Sequence, residues 1–228
     1  MHIGLIGGIG PAATEFYYRG LISAGSSTSS PMELTIAHAD MNTLRGNLAA
    51  KEPVRQAQTF CHHLDQLAAA GAEIAAVTSI AGHFCIRELE VISPLPLVDA
   101  LATISDELER RGLRRVGLLG SVAAMESGLY GTLTDLEVVV PQGADMQLVG
   151  EEYLAMATAQ QADERQRELF FSAGADLCSK QGAQAVLLAG TDLFLAFANS
   201  DPGFDVIDCA EIHIHALALL AREASVDG

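Results

Sequence analysis

His2-Ile3-Gly4-Leu5-Ile6-Gly7-Gly8-Ile9-Gly10-Pro11-Ala12-Ala13-Thr14 decides the fold. An apolar run of strand length breaks at glycines and passes into a helix with Pro11 at its first position, where the missing N–H costs nothing. A second stretch repeats the first. Arg115-Val116-Gly117-Leu118-Leu119-Gly120-Ser121 has the same apolar spacing and the same terminal glycine. Two similar α/β lobes follow from that echo. Ser93-Pro94-Leu95-Pro96-Leu97-Val98-Asp99 lies between them; its prolines limit helix and suit a crossing from one lobe to the other.

Further strand-like runs are read at 33–38, 73–78, 136–140, 184–189 and 204–207. Helical patterns are read at 12–23, 54–70, 99–111, 122–131, 159–181 and 210–223. Strand and helix alternate, and the strands are near-continuous Val, Ile, Leu and Ala. Both features predict parallel sheets covered by helices on both faces. The boundaries read as 1–98 plus 208–228 for the first lobe and 99–207 for the second. Ser26-Ser27-Thr28-Ser29-Ser30 reads as a polar loop.

The chain has 228 residues, half of them hydrophobic, enough for a large core. Thirteen Lys and Arg face 29 Asp and Glu, a net charge of −16 that repels a phosphate backbone and argues against nucleic acid. Four cysteines, at 61, 85, 178 and 209, form no CxxC pair, so no metal cage is read. No apolar run reaches the length of a membrane span, and no basic stretch precedes a hydrophobic one at the start. A cytoplasmic protein with free thiols is the expectation.

Four segments carry possible chemistry. The turn Gly7–Thr14 lets a backbone approach a ligand, and the following helix start favours an anion. Gly8-x-Gly10-x-x-Ala13 also fits a loose dinucleotide fingerprint, but Asp40 comes about ten residues too late for the ribose. His38-Ala39-Asp40-Met41-Asn42-Thr43-Leu44-Arg45 closes the second strand. Arg45 is read either as a forked carboxylate binder or as a solvated residue pairing with Asp40 or Glu52. Ala75-Ala76-Val77-Thr78-Ser79-Ile80-Ala81-Gly82-His83 and Ala185-Val186-Leu187-Leu188-Ala189-Gly190-Thr191-Asp192-Leu193 are each a strand running into a polar turn. His83 and Asp192 have proton-transfer chemistry, or serve as a satisfied polar residue and a helix-start residue.

Together these segments resemble the aspartate/glutamate racemase family over nearly the whole chain. The Gly4–Thr14 motif is the most specific likeness. Val116–Ser121 followed by Met125-Glu126-Ser127-Gly128-Leu129-Tyr130 resembles the family's second-lobe start, and Val138-Val139-Val140-Pro141 follows in place. Val206-Ile207-Asp208, with His213 and Ala216, is similar to its closing segment. The resemblance implies two pseudo-symmetric α/β lobes with a ligand cleft between them, usually in a homodimer. It implies no cofactor and a small acidic amino acid or other carboxylate as ligand. It also implies two cysteines, one taking the α-proton and one returning it on the opposite face.

The chain departs from the family at those cysteines. By the resemblance, Cys-Asn-Thr-Ala-His matches Ser79-Ile80-Ala81-Gly82-His83, with Thr78 as the equivalent if the register slips by one. Gly-Cys-Thr-Glu-Leu matches Ala189-Gly190-Thr191-Asp192-Leu193, which puts Gly190 in the second slot. The family's carboxylate-binding lysine has no counterpart, since the chain has only Lys51 and Lys180. The resemblance makes Ser79, His83 and Asp192 the catalytic candidates. Gly10, Pro11, Thr14, Arg45, Ser121, Gly190 and Thr191 are the substrate-binding ones. Three readings stay open: a cofactor-independent amino-acid racemase, a lyase or decarboxylase with a one-sided acid/base site, and a ligand-binding relative without turnover.

Overall fold

The structure is a computed structural model, described for residues 1–25 and 32–223. The polar loop read at Ser26–Ser30 lies outside the described residues. In chain order the elements are β1 (His2–Gly7), α1 (Pro11–Gly25), β2 (Glu33–His38), α2 (Met41–Ala49), α3 (Pro53–Ala69) and β3 (Ile74–Val77). A 3-10 turn (Ala81–Cys85), α4 (Ile86–Ile92), α5 (Ala100–Arg110), β4 (Arg115–Gly120), α6 (Val122–Glu126) and α7 (Gly128–Gly131) follow. The chain continues through β5 (Glu137–Val139), α8 (Ala144–Ala159), α9 (Glu164–Gln181), β6 (Ala185–Ala189), α10 (Phe194–Phe197), β7 (Val206–Asp208) and α11 (Cys209–Glu223). It divides into two compact units, Met1–Thr103 with Ala210–Gly228, and Ile104–Cys209.

Each unit has the same topology. In the first, β2-β1-β3 form a parallel sheet, and Leu97 bridges to Ala75 as a rudimentary fourth strand. In the second, β5-β4-β6-β7 form a parallel sheet in the corresponding order. The first strand of each unit is central, and the chain moves first to one side of it and then to the other. That reversal makes the carboxyl ends of β1 and β3, and of β4 and β6, the places where open α/β sheets bind ligands.

The repeated Gly in Ile3-Gly4-Leu5 and Val116-Gly117-Leu118 has a packing cause. A Cβ on Gly4 would stand 3.0 Å from Leu67 of α3, and one on Gly117 would stand 2.9 Å from Leu177 of α9. Each glycine lets a covering helix lie close on the central strand. The two faces of the first sheet are filled separately. Ile3 and Leu5 pack with Tyr17, Leu21 and Leu217, from α1 and α11. Ile6, Ala75 and Val77 pack with Phe60, Leu64 and Leu67 of α3. The alternation follows from the strand period of two, and the spacing 57, 60, 64, 67 from the helix period.

Three expectations change. The stretch after His38 is helical over Met41–Ala49, because Asp40 caps it by accepting from the Thr43 N–H at 2.8 Å. The single helix expected over 159–181 begins instead at Glu164. Asp163 and Gln166 form a capping box, and Gln160 ends the preceding α8 in a left-handed conformation. The helix expected over 122–131 breaks at Ser127, and Gly128–Gly131 then all have positive φ. Among the described residues no helix is long and apolar enough to cross a membrane.

Candidate functional site

At the carboxyl ends of β1 and β3 the first unit builds a hydroxyl network. Gly8 has φ +90, and a Cβ there would fall 2.2 Å from His38 Nδ1, so only glycine fits the turn. The Gly8 N–H donates to Thr14 Oγ1 at 2.8 Å, and Thr14 Oγ1 donates to the Gly10 carbonyl at 3.0 Å. Thr14 Oγ1 also lies 3.3 Å from Thr78 Oγ1, which donates to the Ile6 carbonyl at 3.2 Å. Gly10, Pro11, Thr14 and Thr78 are thus one assembly, with Pro11 opening α1.

Ser79 is buried, and its Oγ accepts from the Gly82 N–H at 3.3 Å at the start of the 3-10 turn. His83 does not reach that hydroxyl. Its Nε2 accepts the Ala100 N–H at 3.2 Å, so Nδ1 carries the proton and donates to the Ser79 carbonyl at 2.7 Å. Both ring nitrogens are spent on backbone. Burial pushes the imidazole below its ordinary pKa; the nearby Asp99 carboxylate and the Ser79 bond oppose this without reversing it. Behind it, His213 accepts from the Tyr17 hydroxyl at 2.9 Å and donates to the Val98 carbonyl at 2.9 Å.

Arg45 is exposed on α2. Asp40 is committed to Thr43 and Glu52 pairs with Arg55 at 3.0 Å, so neither expected partner holds the guanidinium.

In the second unit, Ser121 caps α6, accepting the Ala124 N–H at 3.2 Å at the carboxyl end of β4. Gly190, Thr191 and Asp192 follow β6, with Thr191 and Asp192 buried. Three further residues stand beside them: Tyr130, which the second-lobe motif contains without a role, Cys209, which no motif places at the site, and Tyr153, which sequence reasoning passed over. Tyr153 comes from α8, a helix with no clean polar face to reveal it. Burial pushes its phenol well above the ordinary value, with the charges of Asp192, Cys209 and Tyr130 adding and the Asp192 backbone opposing. Cys209 is fully buried at the start of α11. Burial and then the Asp208 and Asp192 carboxylates push its thiol well up, with hydrogen bonding from Gly190 and its own backbone opposing. Among the described residues no group of three or more His, Cys, Asp or Glu stands together as a metal site.

The family model for Asp/Glu/Hydantoin racemase matches residues 6–217, nearly the whole chain. The chain belongs to the Asp/Glu/Hydantoin racemase family. Solved structures agree in fold. A candidate Asp/Glu racemase from Yersinia pestis is 25% identical with a TM-score of 0.83, covering 96% of this chain and 98% of its own. An aspartate racemase homologue from Pyrococcus horikoshii OT3 is 26% identical with a TM-score of 0.80, at 96% and 98% coverage. Picrophilus torridus aspartate racemase, at 18% identity and a TM-score of 0.75 over 98% and 94%, shares the fold. No curated protein gives a significant match.

Within the racemase family, the motif match at Gly190 gains a physical cause here. A Cβ on Gly190 would lie 2.5 Å from Tyr153 Cζ, 2.6 Å from Cε2 and 2.7 Å from the phenol oxygen. The tip of Tyr153 stands where a side chain at residue 190 would begin. A side chain at residue 190 would have to displace that phenol.

Proposed function

We propose that this racemase-family protein binds a small acidic amino acid or other small carboxylate, without a cofactor, and lacks the two-carrier machinery of racemisation. One observation carries the reading: the space of a residue-190 side chain is filled by the Tyr153 phenol. That phenol is held protonated, well above its ordinary value, by burial. It donates a hydrogen bond or a proton; it does not take one from carbon. Ser79 and Thr78 are alcohols, and His83 has both nitrogens committed to backbone. Of the catalytic candidates, Asp192 alone carries a carboxyl group, the side chain here suited to act as a base. The acid/base chemistry is therefore one-sided, with Asp192 and Tyr153 both in the second unit. The proposed carboxylate-binding groups are Thr14 and exposed Arg45 in the first unit, and Ser121 and Thr191 in the second.

A lyase or decarboxylase step is the second reading, favoured by the same protonated phenol. Such a step forms its carbanion by losing a carbon group and then needs only one proton donor. A homodimer belongs to the family-based reading, and exposed Tyr18, Ile22, Leu219 and Leu220 on α1 and α11 give the first unit apolar surface for it. Four free thiols support a cytoplasmic location.

Thermal shift with both enantiomers of aspartate and glutamate, and with malonate and succinate, tests binding, because a ligand for the folded state raises stability by mass action. The α-proton of each ligand that binds is then followed by NMR in D2O, and its enantiomer by chiral chromatography. We expect stabilisation by at least one acid and no interconversion of enantiomers. Steady racemisation sinks the one-sided site, and no stabilisation by any of these acids sinks the reading as a whole.

A further inference from the structure

Gly128, Leu129, Tyr130 and Gly131 have φ of 58, 58, 58 and 77. Left-handed backbone is strained for any non-glycine residue, so Leu129 and Tyr130 make this an expensive turn. Such strain persists where the surrounding structure fixes it and concentrates where ligands are held. The turn is anchored at both ends. Ser127 Oγ accepts the Tyr130 N–H at 2.8 Å, and the Gly131 N–H donates to the Ser127 carbonyl at 2.9 Å. Leu129 is fully buried, a plug that keeps the turn from relaxing.

The turn delivers the phenol of Tyr130. Its oxygen is buried, and among the described residues it is the one buried side-chain polar atom with no hydrogen-bond partner. Burial pushes its pKa up to about 12, with Ser121 beside it working the other way but outside hydrogen-bond geometry. Ser121 Oγ already accepts the Ala124 N–H. Tyr130 also acts electrostatically on Tyr153, which fills the slot at Gly190. The unused O–H therefore belongs to the cluster at the carboxyl ends of β4 and β6, where this fold binds ligands. Leaving a buried hydroxyl unpaired is a second cost on top of the strained turn. Neither stabilises the fold.

We propose that the Tyr130 hydroxyl is a ligand-binding group, a hydrogen-bond donor held in place by the left-handed turn for an oxygen of a bound carboxylate. This deepens the proposed function and rests on it. A protonated phenol offers one donor, and a carboxylate is the complementary acceptor. The bond is charge-assisted and formed away from water, so it is worth more than a neutral surface contact.

Tyr130→Phe removes the hydroxyl and keeps the ring. Melting temperature without ligand, and affinity for the best-stabilising acid of the aspartate, glutamate, malonate and succinate panel, are measured on wild type and variant. Without ligand the variant melts at the same temperature or higher, because an unpaired buried oxygen has gone. Affinity falls on the order of 10- to 100-fold, the worth of a hydrogen bond to a charged group. A variant that melts lower without ligand means the hydroxyl has a permanent partner, and overturns the proposal. Unchanged affinity overturns it too, while wild-type binding leaves the proposed function standing. Failure of every acid to stabilise wild type removes both.

Discussion

Returning a cysteine to position 190 is the direct test of why the second slot is empty. In Gly190→Cys the new Cβ meets three atoms at the end of the Tyr153 side chain at 2.5, 2.6 and 2.7 Å. Tyr153 is 6% exposed and comes from the middle of α8, so its ring has no open side to swing into. Overpacking of this kind costs typically 1–3 kcal/mol. For a chain of this size that lowers the melting temperature by roughly 2–4 °C for each kcal/mol. Tyr153→Ala alone costs roughly 3–5 kcal/mol as a large-to-small core change. In the double variant the cysteine enters the space the ring has left, so the two costs are not additive; the double variant is more stable than their sum by roughly 1–3 kcal/mol. Chemical denaturation of the four proteins gives the coupling energy. Additive costs, or a Gly190→Cys protein as stable as wild type, would refute the claim that the phenol occupies the slot. The corollary is that Ser79→Cys with Gly190→Cys does not restore a thiol pair unless Tyr153 is cut back as well.

Two further expectations concern titration and thiols. His213 is fully buried and neutral, with burial and then His83 pushing its pKa down to about 3, against 6.5 unfolded. Between those values the unfolded chain binds the proton and the folded one does not, so stability is full above pH 6.5 and is lost as pH falls toward 3. At about 1.4 kcal/mol per pH unit the whole window is worth ~5 kcal/mol, and His213→Gln should flatten the acid limb of urea-denaturation stability by about one proton; an unchanged slope refutes it. Cys85, pushed up to about 12 mainly by burial, and buried Cys209 should resist alkylation at pH 8 until the protein unfolds; fast modification of either in the native protein contradicts their burial.

Much of the fold was legible because its signals are local. The strands are short apolar runs, and the echo of Ile3-Gly4-Leu5 in Val116-Gly117-Leu118 marks two places where a helix presses on a central strand. The elements that escaped have weak periodicity or are set by caps. The cap that makes Met41–Ala49 helical is one Asp side chain, and the break at Gln160–Asp163 is a left-handed residue followed by a capping box. The missed α8 had a functional cost, since it carries Tyr153. At the site, Ser79 and His83 were read as neighbours, and they are. What spacing does not reveal is which atom of Ser79 the imidazole meets. It meets the carbonyl, and the partner of its other nitrogen, Ala100, is seventeen residues away. Tyr130 stood in the second-lobe motif, bracketed by Gly128 and Gly131, a pattern that favours left-handed backbone, but nothing in the sequence marked its hydroxyl as unpaired.

Glycine in a catalytic slot is usually read as loss, but the geometry here is that of an exchange. Racemisation needs each carrier to take a proton in one direction and return it in the other, so a group that only donates stops the cycle after one half. A phenol whose pKa burial raises keeps its own proton and so does not take one from carbon. It would still protonate a carbanion made by another route, and it would still hydrogen-bond a carboxylate. Thiols of tunable pKa suit a reversible shuttle; a buried phenol suits a one-way donor or a fixed contact. As Tyr153 stands, its tip occupies the place where a side chain at residue 190 would begin, so one must move to admit the other. Replacing a shuttle by a donor changes which reactions the site supports and leaves in place the hydroxyls proposed to bind an acid. Tyr153→Phe therefore separates the two remaining readings. With Asp192 and the binding hydroxyls untouched, an enzyme that uses the phenol as its proton source loses turnover and keeps its ligand. A protein that only binds loses affinity and has no turnover to lose.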